Sequence, residues 1–129
     1  MINLPEASEL LLVARKTLLE ALAPLAGEDA KYTVAMIANA MAIAIREAEA
    51  GEAPALAALA RLDRIYGVEP RELHGEALRR ALTTHDQQLA HDIRGGRFDR
   101  DDEKRCAVLE HLRASVTARL RISNPKSLP

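Results

Sequence analysis

A chain of 129 residues, 48% hydrophobic and with a formal net charge of -1, is long enough for one core and too apolar for disorder. Four basic and eight acidic residues in 1–60, against fourteen and eleven in 61–129, make only a mild dipole, which excludes the basic footprint of a nucleic-acid binder. Tyr32, Tyr66 and Phe98 are the only aromatic residues, and the dominance of Ala and Leu over Val, Ile and Thr argues for helices and against sheet.

The spacing predicts a first helix from Pro5 to Leu22 or Ala23. Proline suits the first helical turn, Leu11, Leu18, Leu22 and Leu25 recur at helical intervals, and Pro24 and Gly27 mark the exit. A second helix is expected over Glu28 to Ala50, with Glu28 and Asp29 favoured by the macrodipole at its start and Gly51 as its stop. Its middle, Val34 to Ile45, is apolar nearly all round. That pattern predicts a central helix buried on several sides, or an oligomer interface. The run is too short for a membrane span.

A third helix is expected over Pro54 to Tyr66, with Leu56, Leu59, Leu62 and Ile65 facing the core and Gly67 ending it. A further segment opens at Pro70, and Gly75 separates it from a fourth helix over Glu76 to Arg94. The stripe of that helix is Leu78, Leu82, His85, Leu89 and Ile93. Gly95-Gly96 is a terminator, and Asp99 is the expected N-cap of a fifth helix running to Arg121. Leu109, Leu112, Val116 and Leu120 are its expected inward residues. Short connections imply antiparallel neighbours. The expected fold is therefore all-α, a compact up-down bundle of about five helices, forming a single domain over residues 1–129.

Cys106 is the only cysteine, so an intramolecular disulfide and a cysteine metal site are excluded. A reducing, cytoplasmic setting fits, as does the absence of a basic n-region in Met1 to Glu6. His85-Asp86 and His91-Asp92 repeat a pair six residues apart, which places the two histidines on different sides of a helix. His85 and Asp92, at i and i+7, are the better placed, but a metal centre needs more convergent ligands than these. No metal and no cofactor is expected. Phosphate-loop, dinucleotide and nucleophile-elbow signatures are absent, so no catalytic residue is assigned.

Asn39, in the apolar middle of the second helix, is the most informative polar residue. Arg46 lies seven residues on, Arg15 falls within the stripe of the first helix, and Glu47 is placed to pair with Arg15. Arg15, Asn39, Arg46 and Glu47 are thus expected to form a buried cluster. It either binds a small anionic ligand or fixes helix register as a satisfied network.

Leu10 to Arg15, Tyr32 with Met36 to Ala40, Ile45 to Glu47, Ile93 to Asp99 and Ile122 to Lys126 together resemble an uncharacterised bacterial family of small helical proteins. The family is associated with aminoglycoside-phosphotransferase-like and acyl-CoA dehydrogenase-like proteins. The resemblance implies an accessory role near acyl-CoA metabolism and brings no catalytic residues with it. Three readings follow, in order: a non-catalytic interaction protein with a protein partner or as a homodimer, a module for a small anionic ligand, and an enzyme centred on His85 and Asp92. None involves nucleic acid or a membrane.

Overall fold

A computed structural model describes residues 4–129. Five α-helices account for most of it: α1 (Ala7–Thr17), α2 (Glu28–Ala50), α3 (Ala53–Tyr66), α4 (Gly75–Arg94) and α5 (Asp102–Ser123). There is no strand among the described residues, so the all-α class is as the composition implied. The sequence reads as a single domain; the contacts of the folded chain gather into two compact units, residues 1–51 and 52–129.

In the first unit α1 packs against α2. The Glu9 carboxylate accepts from the Glu6 N–H at 2.8 Å and so satisfies a donor that the first turn leaves open. The helix keeps its α pattern only to Thr17. Leu18–Leu22 winds as a π turn and Ala23–Leu25 as a 3-10 turn, because Pro24 has no N–H and its ring crowds the carbonyl four residues back. Helix α2 has the expected bounds, but it is not buried on several sides. Ala38 and Ile45 are its buried residues, while Tyr32 and Met36 are 74% and 52% exposed. One neighbouring helix covers one stripe, and the apolar residues of the other faces remain at the surface.

The second unit holds α3, α4 and α5, with α4 and α5 each packed on α3. Its core is Leu62, Ile65, Leu89, Phe98 and Val108. Helix α3 ends where expected, at Gly67, whose φ of +64° is a left-handed conformation that a side chain would strain. Helices α3 and α4 run in the same direction. Glu52, before α3, bonds Gly75 at the start of α4, and Tyr66, at the end of α3, reaches Asp92 near the end of α4. This pair departs from the alternating order of an up-down bundle. The cause lies in 68–74, which is not helical: seven extended residues span about 24 Å, enough to return along a 14-residue helix of about 21 Å.

The N-cap of α5 is Asp101, not Asp99: its side chain accepts from the Lys104 N–H at 2.9 Å. Asp99 belongs to the preceding turn, where its own N–H bonds the Gly96 carbonyl. The inward stripe of α5 also differs from the expected one. Val108 and His111 are buried, whereas Leu109, Leu112 and Val116 are exposed.

Candidate functional site

The four residues singled out in the first unit do not form a buried cluster. Asn39 and Glu47 are exposed, and Arg15 and Arg46 are half-buried. Arg15 does cross to α2, where its Nε donates to the Ala38 carbonyl at 3.1 Å. A carbonyl already engaged in a helix keeps a second lone pair, so this bond ties α1 to α2 beside Asn39. Asn39 faces outward because Ala38, its neighbour, takes the α1-facing position one step round the helix.

The second unit carries a more connected set of polar side chains. Asp63 lies on the same face of α3 as Leu59, four residues earlier, and is buried. Its Oδ1 accepts from Arg71 Nη2 at 2.8 Å and lies 3.1 Å from His85 Nε2. His85 is therefore held by Asp63 and not by Asp92. Arg71, on the 68–74 segment, also lies 3.0 Å from His85 Nε2, so one carboxylate ties that segment and α4 to α3. The Tyr66 ring stacks on His85 with centroids 5.4 Å apart, and its hydroxyl donates to Asp92 Oδ2 at 2.9 Å.

Asp92 also accepts from Gln88 Nε2 at 2.9 Å and Arg97 Nη1 at 3.0 Å. Burial opposes its ionisation, but the hydrogen bonds from Tyr66 and Gln88 and the Arg97 charge outweigh it, and the carboxyl titrates below its usual range. Burial, then the hydrogen bond to Asp92, pushes the Tyr66 phenol up to about 12. The two groups stabilise each other in the neutral-phenol, ionised-carboxylate state.

At the other end of α3, Glu52 accepts from the Gly75 N–H at 2.6 Å and pairs with His74 Nδ1 at 2.9 Å. The backbone hydrogen bond, chiefly, lowers the Glu52 carboxyl, and the bond to Glu52 raises the His74 imidazole. Buried side-chain polar atoms without a partner are absent among the described residues, as are groups of three His, Cys, Asp or Glu side chains placed to hold a metal ion. The Asp63 and Asp92 networks are thus saturated with partners from the chain itself.

A cleft of about 500 Å³ lies elsewhere in the same unit. Its lining comes from all three helices: Pro54, Ala55, Ala58 and Arg61 of α3, Leu82, Asp86, Leu89, Ala90 and Ile93 of α4, and His111, Leu112, Ser115, Val116, Ala118 and Arg119 of α5. It exists because α4 and α5 both pack on α3 and leave a trough between them. Leu112 and Val116, expected in the core, are instead its walls. His111 is 3% exposed, and its Nδ1 accepts from Arg61 Nε at 3.3 Å, which leaves the ring proton on Nε2. Burial and then the Arg61 charge lower the His111 imidazole below its usual value, against an opposing pull from Asp86. A smaller cleft of about 360 Å³, lined by Arg61, Arg64, Glu103, Lys104 and Glu110 among others, is of mixed charge.

This arrangement has a pH signature. The folded imidazole of His111 titrates below the unfolded value of 6.5, so the unfolded chain binds the proton more readily. Stability from the neutral ring is complete above pH 6.5 and is lost as pH falls through the folded value. His74, shifted upward, contributes in the opposite sense: its stability is present below 6.5 and lost as pH rises through its folded value. Urea midpoints at pH 7.5 and 5.0 are expected to fall towards acid by less in His111→Gln than in the parent chain. An equal fall in both proteins would contradict this assignment.

The helices, the two saturated networks and the apolar cleft define a small all-α protein. The family model of a domain of unknown function (DUF6285) matches residues 24–127, and the chain belongs to that family. No curated protein and no solved structure matches it.

Proposed function

We propose that this is a non-catalytic interaction protein of the bacterial cytoplasm, an accessory partner of a phosphotransferase-like or acyl-CoA dehydrogenase-like enzyme. The observation that carries the interaction reading is the apolar surface of the first unit. Leu10, Val13, Leu22 and Leu25 are 56%, 63%, 56% and 82% exposed, and Tyr32 and Met36 of α2 add to them. Isolated apolar residues at a surface need no explanation, but Leu10 with Val13 on α1 and Tyr32 with Met36 on α2 lie three and four positions apart, as neighbours on a helix face, and adjoining exposed apolar side chains support an interaction surface. Tyr and Met are also enriched at interfaces. The enzyme class of the partner rests on the family resemblance alone. Among the described residues no helix is long and apolar enough to cross a membrane, so this surface is not read as a lipid-spanning one.

A homodimer through the same face is the second reading, and Asn39 favours it. Tyr32, Met36 and Asn39 follow one another at intervals of four and three, the spacing of a helix-pairing seam. A single Asn within such a seam sets register and partner number at some cost in stability.

Affinity capture of the tagged chain from its own cells, beside a Val13→Glu/Met36→Glu double variant, tests both. Both positions are exposed, so the variant buries no charge and keeps the fold. The parent is expected to recover a stoichiometric enzyme, or its own untagged copy, and the variant at least about tenfold less. Equal recovery by both proteins, or none by the parent, would overturn the reading.

A further inference from the structure

We infer that the trough between α4 and α5 binds a small molecule with an apolar body and one anionic headgroup, a carboxylate or sulfonate. The inference concerns the second unit and does not depend on the interaction surface of the first. Its walls are apolar side chains left in contact with solvent: Ile93, Leu112 and Val116 are 42%, 39% and 56% exposed, and Leu89 lies below them. A cleft of about 500 Å³ falls within the range that takes small ligands.

Arg61 sets the charge of the headgroup. This guanidinium is half-buried, and its hydrogen bond is given from Nε to a neutral imidazole. It forms no ion pair among the described residues, although Asp92, Asp63 and Glu52 of the same unit all do. A half-buried cation loses hydration without gaining a counter-ion, so an incoming anion gains a charge-assisted, fork-shaped donor at little further desolvation cost. Arg119 adds a second positive charge to the lining and Asp86 is the one carboxylate there, so the trough is net cationic. The His111 Nε2–H supplies a further donor on a lining residue. An anion with an apolar body meets both halves of this surface, whereas a purely apolar ligand leaves Arg61 without a counter-ion.

The probes are 1-anilinonaphthalene-8-sulfonate and its uncharged parent, N-phenyl-1-naphthylamine, titrated into the whole chain by fluorescence. The sulfonate is expected to bind about tenfold more tightly than the uncharged probe, the worth of one charge-assisted contact. Arg61→Met, which keeps the apolar stem, is expected to abolish that preference. Because the variant also removes a partner from His111, a second measurement uses the parent chain alone. Nuclear Overhauser contacts from the bound sulfonate are expected at the methyl groups of Leu89, Leu112 and Val116. Equal affinity for the two probes would overturn the inference. So would contacts confined to Val13, Met36 and the rest of the first unit.

Discussion

Replacing Leu62 by alanine is expected to lower the unfolding free energy by about 3 kcal/mol, within the range for a buried leucine truncated in place. Leu62 is 0% exposed and sits in the core with Ile65, Leu89, Phe98 and Val108. The expected cost has two sources, the lost transfer energy of the removed methyl-bearing carbons and the cavity they leave. A cavity persists where its walls are fixed, and here they are: Phe98 follows the Gly95-Gly96 turn, and Leu89 lies on a helix held to α3 through Asp63 and Asp92. Chemical denaturation followed by circular dichroism checks this. A loss below about 1 kcal/mol would mean that the three helices repack easily, and that Leu62 is not at the centre of this unit.

Removing the Asp63 carboxylate is the second large effect. Asp63→Ala is expected to destabilise the chain by about 2 kcal/mol, since the partners of a buried acceptor are left with their desolvation cost and no bond. The cost falls mainly on His85, which is 15% exposed in its side chain. Arg71 is 37% exposed in its side chain and turns to water when released, so its share is small. Asp63→Asn keeps one acceptor oxygen of the same shape and is expected to lose roughly half as much. In both variants hydrogen exchange is expected to quicken across residues 68–74, whose backbone is non-helical and which Arg71 ties down. Unchanged exchange there would contradict the tie.

The partnership of Asp63 with His85 depends on how two helices lie side by side, which local sequence does not specify. Helix bounds were legible where a residue has one dominant conformational effect, as at Gly51, Pro54 and Gly67. The end of α1 was less so, because Pro24 shifts the hydrogen-bond pattern over a whole turn before it. The partner of His85 was not legible at all. Periodicity places His85 on a stripe, but which carboxylate meets it depends on the direction of α3 relative to α4. That direction is set by the reach of residues 68–74, and it brings Asp63 to His85 and Tyr66 to Asp92. One signal was available: Asp63 stands among Leu59, Leu62 and Tyr66 on the core face of α3, where a carboxylate needs a partner.

The Asn39 cluster illustrates the converse. Its members share helix faces as the spacing implied, but sharing a face does not bury it. Burial requires a further element, and within the described first unit α2 is packed by α1 and the Leu18–Leu22 turn that continues it, on one side. Arg61 and His111, fifty positions apart, lay on separate helices with no motif to join them. The apolar residues that line their cleft had the periodicity of ordinary core positions.

The central claim is that the exposed apolar surface of residues 4–51 is where a protein partner docks. Hydrogen–deuterium exchange of the chain, alone and in the complex recovered from its cells, tests it most directly. Slowed exchange within Ala7–Thr17 and the first half of Glu28–Ala50, with residues 52–129 unchanged, is the result this account predicts. Slowing confined to residues 52–129 would contradict it and place the docking surface on the three-helix unit instead.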